Sequence, residues 1–130
     1  MTDFILKERE SEKVPDLLAL AVPSFVESEQ YRRLDQEDQK VPGLVCAAFT
    51  RFFEQLQQAE INAGDKSDDL ERCYAVIEDL ALSPDPAVKN LVVTEIFENL
   101  QGPNQTLKKI KERLGTESRR LYQSWVDPST

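Results

Sequence analysis

The stretch that decides the fold is residues 44–63, LVCAAFTRFFEQLQQAEINA, which contains no proline and no glycine. Its large apolar residues Val45, Phe49, Phe52 and Leu56 recur at intervals of three and four, the spacing of one face of an α-helix. A glycine follows the stretch, as is common just beyond a helix C-terminus. The sequence therefore predicts a long helix over 44–63 at the centre of the fold.

Segments with helical spacing also flank this stretch on both sides. We predict helices over 14–22, 24–34, 69–82, 86–100 and 105–114, and one that starts after Thr116. No segment shows the sustained apolar–polar alternation of a half-buried strand. The expected fold class is all-α: one domain spanning residues 1–130, a compact bundle of about six or seven helices, with frayed termini at 1–13 and 127–130. In the last helix, Tyr122 and Trp125 are predicted to close the core.

The charge of the chain is unevenly distributed around a formal net charge of −8. Residues 1–100 carry 21 acidic and 10 basic side chains, net −11, whereas residues 101–130 carry 3 acidic and 6 basic side chains, net +3. An acidic chain repels the phosphates of nucleic acids and of anionic membranes, so we expect neither as a partner. We expect the basic C-terminal segment to pack against the acidic body, and a basic protein to be the partner that the charge favours.

The cysteines and the N-terminal sequence bear on the compartment. Cys46 and Cys73 fall among apolar residues in helical segments, which predicts buried, reduced thiols. Residues 1–10 are highly charged and do not form a secretory signal. The longest largely apolar run, 14–26, is shorter than the about 20 residues that span a bilayer. We therefore expect a cytoplasmic protein without a membrane span.

The absence of histidine narrows the possible chemistry. It excludes triads with a histidine base and the histidine-containing zinc and di-iron sites. All-α nucleotide pyrophosphatases instead hold magnesium with two acidic pairs, each at i, i+3 spacing. Glu95 and Glu98 supply one such pair, but Glu78 and Asp79 are adjacent and point in different directions. We expect no catalysis, no metal and no cofactor. A carboxylate–metal nucleotide hydrolase is the second alternative to a binding function.

Residues 83–100, SPDPAVKNLVVTEIFENL, resemble one helix of a HEAT-type repeat. The Asp85-Pro86 entry, Val88 and the following apolar pattern carry the resemblance, which implies stacked helical hairpins that bind a peptide. The whole chain is also similar in size, charge and helical class to small acidic bacterial proteins, some of which are immunity proteins encoded beside toxins.

Two sets of polar residues are candidates for partner binding. The first consists of acidic residues on both sides of the longest helix: Asp35, Glu37, Asp38, Asp65, Asp68 and Asp69. It favours a non-catalytic binding protein, such as an immunity or regulatory protein that caps a basic partner. The second is the polar strip of the predicted helix 86–100, formed by Asn90, Glu95 and Glu98. It favours the alternative, a helical-repeat adapter that binds a peptide.

Overall fold

The predicted all-α class is confirmed. The computed structural model describes residues 10–64 and 66–126. Of the termini that were expected to fray, residues 1–9 and 127–130 lie outside the described residues, whereas residues 10–13 form a 3₁₀ turn. In the described part the chain forms eight α-helices and no strand: α1 Val14–Ala21, α2 Pro23–Val26, α3 Glu29–Arg32, α4 Pro42–Ala63, α5 Asp68–Ala81, α6 Pro86–Leu91, α7 Asn104–Arg113 and α8 Thr116–Trp125. Two 3₁₀ turns, Glu10–Lys13 and Asp38–Lys40, precede α1 and α4.

Helix α4 lies at the centre of the bundle, as the sequence predicts. It contacts α1, α3, α5 and α7, and it buries Val45, Phe49 and Phe53 completely. Proline stands in its first turn, where its fixed φ suits helix initiation. The helix ends at Gly64, whose φ of 76° is the left-handed conformation that residues with a side chain rarely adopt.

An aromatic cluster fixes the short N-terminal helices on α4. The ring of Phe25 in α2 lies 5.2 Å from Tyr31, 5.4 Å from Phe49 and 5.6 Å from Phe52, measured between centroids. Its contacts with Tyr31 and Phe49 are edge-on, which aromatic quadrupoles favour. Because Phe25 is fully buried, a helix of only four residues is held in place by packing rather than by its own propensity.

The predicted helix over 24–34 is wrong, because the chain breaks at Ser28. The Ser28 Oγ donates a hydrogen bond of 2.5 Å to the carbonyl of Phe25 and accepts one of 3.3 Å from the amide of Tyr31. The Ser28 backbone is extended, and its side chain caps the start of α3. A serine hydroxyl that bonds to nearby backbone groups competes with the helical hydrogen bonds, so two four-residue helices replace one long helix.

The predicted helix over 86–100 also differs, because α6 continues as a π-helical segment, Val92–Phe97. The amide of Glu98 donates to the carbonyl of Val93, five residues earlier, at 2.8 Å. Thr50 of α4 places its Oγ 3.0 Å from the carbonyl of Glu95 and 2.8 Å from that of Cys46, and its one hydrogen serves either acceptor. The wider turn is therefore supported by a contact with the neighbouring helix.

The C-terminal helices close the bundle only in part as predicted. Arg113 of α7 donates to Glu60 at 2.6 Å, which ties the basic segment to the acidic body. Tyr122 of α8 packs edge-on against Phe97 at 5.4 Å. The prediction that Trp125 closes the core is wrong, since Trp125 is 70% exposed. It is the last residue of α8, and its ring forms one wall of a cleft instead of entering the core.

Candidate protein-binding surface

The first three predicted acidic residues, Asp35, Glu37 and Asp38, lie in the connection between α3 and α4, which we call the acidic loop. Asp35 and Glu37 are exposed, and Asp38 is half-buried. Their main-chain carbonyls accept hydrogen bonds of 2.9, 3.2 and 3.0 Å from amides three or four residues later, so turns fix the backbone. Within residues 10–64 and 66–126 none of the three carboxylates forms an ion pair.

The other predicted acidic residues lie beyond the opposite end of α4. Asp68 and Asp69 are the first residues of α5, where negative charge favours a helix start, and Asp65 lies outside the described residues. Asp69 lies 4.0 Å from Arg72. The 22 residues of α4, about 33 Å of helix, separate Asp38 from Asp68. The structure therefore does not bring the two acidic groups into one surface.

The predicted polar strip is divided between two environments. Asn90 is exposed and faces α8 across a cleft of about 250 Å³. Glu95 is half-buried and turns towards α4, where a Cβ on Gly43 would lie 3.7 Å from its Cδ. Glu98 is exposed just after the π-helical segment. Because Asn90 and Glu95 face different helices, the strip does not line a single groove.

The side chains that could bind a metal ion are also spread over the described part of the chain. Across the described part of the chain no three Asp, Glu, Cys or His side chains converge closely enough to hold a metal ion. Among these residues, no second acidic pair of the kind that the carboxylate–metal alternative requires converges on Glu95 and Glu98.

The two cysteines are buried inside the bundle. Burial, reinforced by the charge of Glu95, raises the pKa of Cys46 to about 12. Burial together with the charge of Asp69 likewise raises the pKa of Cys73 to about 12. Both thiols are free and protonated at neutral pH, which removes the thiolate that a nucleophile or redox centre needs.

A buried carboxylate is a natural candidate for catalysis, but Glu54 is fully engaged in holding a loop. It is 6% exposed, and its Oε2 accepts hydrogen bonds from the amides of Gln101 and Gly102 at 2.7 and 2.8 Å. Its Oε1 lies 3.1 Å from Arg51, which also donates to the carbonyl of Asn99. These bonds tie the connection after the π-helical segment to α4.

A cleft of about 460 Å³ lies between the end of α4 and α7 and carries mixed charge. Lys66, Lys108 and Lys109 line it together with Glu60 and Glu112. Because both lysines and glutamates line this cleft, it does not select a ligand by the sign of its charge.

A cleft that the sequence analysis missed opens beside α1, and we call it the α1 cleft. Its volume is about 350 Å³, and its apolar walls are Val14 and Leu17 of α1 against Leu80, Pro84 and Val88 around the turn from α5 to α6. The remaining lining residues are Glu10, Lys13, Asp79 and Ser83. The helical pattern of residues 14–22 did not indicate this cleft, because its second wall comes from Pro84 and Val88, about 70 positions later in the chain.

No helix in the part of the chain that the structure describes is both long enough and apolar enough to cross a membrane.

Of the comparisons with known proteins, the one with protein-family models gives a match. No curated protein and no solved structure matches the chain. The model of a domain of unknown function, DUF7674, matches residues 15–127, which covers α2 to α8 and all but the first residue of α1. The chain therefore belongs to the DUF7674 family.

Proposed function

We propose that this chain is a non-catalytic binding protein whose partner is a basic protein. The observation that carries the proposal is the acidic loop, where Asp35, Glu37 and Asp38 stand on a fixed backbone without an ion pair in the described residues. Carboxylates without an ion-pair partner on an ordered surface loop attract a cationic surface and orient it before contact. Such complementarity raises the association rate and the specificity more than the final affinity.

The acidic loop acts independently of the acidic start of α5. About 33 Å of helix separates Asp38 from Asp68, whereas the Debye length at physiological ionic strength is about 8 Å. A partner on the acidic loop therefore experiences little field from Asp68 and Asp69. We expect neutralisation of the acidic loop to weaken binding even when Asp68 and Asp69 are intact.

An immunity or regulatory protein that caps a basic partner fits this chemistry. Covering the cationic surface of an enzyme by a small acidic domain prevents its substrate from binding and requires no chemistry from the domain itself. Two free, buried cysteines agree with a reducing cytoplasm, which we include in the proposal. A toxin gene next to the gene for this chain would identify the partner to be tested.

The test compares the chain with the variant Asp35→Asn, Glu37→Gln, Asp38→Asn. The product of the neighbouring gene, or a basic protein recovered from the native host, is purified, and its association rate is measured by stopped flow. We expect the rate to fall at least about tenfold between about 50 mM and 500 mM salt, and the variant to show a low rate at both concentrations.

The matched control is Glu27→Gln, Glu71→Gln, Glu112→Gln, which removes the same charge from exposed positions elsewhere. We expect this control to keep most of the association rate and its salt dependence. If both variants bind alike, the net charge and not the acidic loop is responsible. A partner that is not basic, bound at a rate independent of salt, would refute the proposal.

A second candidate function, peptide binding beside α6, has an observation of its own. Trp125 is 70% exposed and faces Pro86, Asn90 and Val93 across the cleft of about 250 Å³. An exposed tryptophan on an apolar cleft is a common anchor for a peptide, and the Asn90 amide is able to hydrogen-bond a peptide backbone. Because Trp125 is the only tryptophan in the sequence, its fluorescence reports directly on this cleft. A blue shift on adding a peptide library, which the variant Val93→Gln does not show, would support this function.

A further inference from the structure

The α1 cleft continues onto an exposed apolar strip. Leu17 lines the cleft and is 40% exposed, and Leu20, three residues later and therefore adjacent on the helix surface, is 80% exposed. On the opposite side, Leu82 at the end of α5 is 57% exposed beside the turn that supplies Pro84. Isolated exposed leucines are ordinary, but these extend an apolar cleft, and such patches mark docking sites.

Among the residues that the structure describes, the charges around the α1 cleft are mainly negative. Glu10 and Asp79 line its two sides together with Lys13, and Glu12 and Asp16 are exposed on the turn and helix that form one wall. Asp16 follows Pro15 on α1 and borders the strip that Leu17 and Leu20 form. A ligand that fills the cleft therefore places its flanks against carboxylates on both sides, and cationic flanks are complementary to them.

The shape of the cleft favours a helix as the ligand. Two apolar walls, from α1 and from the turn between α5 and α6, line the α1 cleft, and exposed Leu20 lies about one helical turn beyond Leu17 along α1. Side chains at i, i+3, i+4 and i+7 of an amphipathic helix form a single row that is able to pack between two such walls. The polar positions on either side of that row then face the carboxylates at the rim.

We propose that the α1 cleft, with Leu17 and Leu20, is the docking site for an amphipathic helix of a protein partner, whose apolar row is flanked by lysine or arginine. This inference rests on the proposed function, because it names the element of the basic partner that makes the apolar contact. The acidic loop attracts the partner, and the α1 cleft holds its helix.

The probe is a synthetic peptide of about 18 leucines and lysines, with leucines at i, i+3, i+4 and i+7. A scrambled peptide of the same composition and a leucine–glutamate peptide are the controls. The full ¹⁵N-labelled chain is titrated and followed by amide chemical shifts. We expect shifts at Leu17, Leu20, Ser83 and Val88 with the first peptide, and affinities at least about tenfold lower with both controls.

Two matched variants locate the contact. Leu20→Gln removes the most exposed leucine of the strip, and Leu44→Gln makes the same change at the start of α4, next to the acidic loop, where Leu44 is 44% exposed. We expect Leu20→Gln to weaken peptide binding at least about tenfold and Leu44→Gln to leave it unchanged. Both positions are exposed, so both variants should keep the circular-dichroism spectrum of the parent chain.

Other outcomes overturn the inference in distinguishable ways. Shifts confined to Asp35, Glu37 and Asp38, with Leu20→Gln binding normally, would refute it and leave the proposed function standing. In a variant with residues 4–6, Phe-Ile-Leu, changed to serine, the amide resonances of Leu17 and Leu20 are compared with those of the parent in the absence of peptide. A change in these resonances would show that the chain's own N-terminus covers the cleft. A concentration-dependent dimer that Leu20→Gln dissociates would show that a second copy covers it. Failure of the proposed function itself would appear in the salt and charge-variant experiment with the native partner.

Discussion

Helix α8 depends for its start on a carboxylate from another helix. Its N-cap is Gly115, which has no side chain to bond the first amides of the helix. Glu78 of α5 replaces that cap: it accepts hydrogen bonds from the amide of Glu117 at 3.0 Å, from the amide of Ser118 at 2.9 Å and from the Ser118 Oγ at 2.7 Å. We predict that changing Glu78 loosens α8 and lowers the stability of the whole domain.

The three bonds set the size of the effect. A lost helix cap costs about 0.5–2 kcal/mol, and a hydrogen bond to a charged group contributes about 1.5–3 kcal/mol. Because Glu78 is only half-buried, we expect Glu78→Ala to lower the free energy of unfolding by about 2–3 kcal/mol. Glu78→Gln keeps one carbonyl acceptor and should cost about 1–2 kcal/mol. At a urea m-value of about 2 kcal/mol/M, these losses shift the unfolding midpoint by roughly 0.5–1.5 M.

The pH dependence separates the charge from the shape of the side chain. Partial burial raises the pKa of Glu78, but its hydrogen bonds to Ser118 and Glu117 lower it by more, so its pKa lies below the ordinary value. The stabilisation is therefore complete above the pKa of an unfolded glutamate, about 4.3, and is lost as the pH falls through the lower folded value. The difference in stability between the parent and Glu78→Gln should be largest at neutral pH and shrink towards pH about 3.

Urea unfolding at pH 7, 5 and 3, followed by circular dichroism, measures this difference. Glu112→Gln, at an exposed position of α7, is the control for loss of one charge. The reasoning is refuted if Glu78→Gln is no less stable than Glu112→Gln at pH 7. It is also refuted if the deficit of Glu78→Gln stays constant down to the lowest pH at which the parent is folded.

Three further predictions concern the packing of the bundle. Gly115→Ala should destabilise the domain by about 1–3 kcal/mol, because its Cβ would lie 2.6 Å from the Cδ of Glu78; unchanged urea unfolding would contradict this. Glu54→Ala should cost about 2–4 kcal/mol, since two amides and an arginine lose a buried acceptor, and calorimetry at neutral pH measures the loss. Cys46 and Cys73 should react with a thiol reagent at pH about 8 only as fast as the domain unfolds, because burial raises both pKa values to about 12. An immediate burst of labelling would contradict this prediction.

The long helices could be predicted from the sequence because their end signals are local. Helices α4, α5 and α7 begin and end within two residues of the predicted bounds. A proline in the first turn and Gly64 after the last one delimit α4, and a Ser67 hydroxyl that accepts from Leu70 at 3.3 Å delimits α5. The residues that determine these ends lie within a few positions of them, so the pattern alone was sufficient.

The π-helical segment could not be predicted, because its support comes from a distant residue. Its wider turn places the carbonyl of Glu95 3.0 Å from the Oγ of Thr50, which is 45 positions earlier in the chain. Nothing near Val92 indicates that this threonine will face it. The break at Ser28 is different, since its contacts with Phe25 and Tyr31 are local. Serine is common both inside helices and at their starts, however, and packing of Phe25 decides between the two here.

The candidate surfaces were predictable only in part. The sequence located the acidic loop, and the length of the predicted helix over 44–63 already implied that Asp38 and Asp68 lie far apart. The α1 cleft depends on the approach of α1 to Pro84 and Val88, which are about 70 residues later, so no local pattern reveals it. Trp125 was predicted to be buried because of its residue type, although its position at the end of α8 leaves its ring outside the core.

The carboxylates that form several hydrogen bonds hold the fold together, whereas exposed residues remain available for a partner, and this contrast supports binding as the proposed role. Glu54 and Glu78, which are the carboxylates with several short hydrogen bonds in the described chain, hold a loop and a helix start. A carboxylate that left such contacts to act on a substrate would first lose several kcal/mol of stabilisation, because each abandoned buried amide costs about 1–3 kcal/mol. Asp35 and Glu37 of the acidic loop and Leu20 have no such structural task, and they are exposed on ordered backbone. Groups of this kind are suited to bind a partner that brings its own complementary charge and apolar surface, and mutations there should change binding while leaving the stability of the bundle intact.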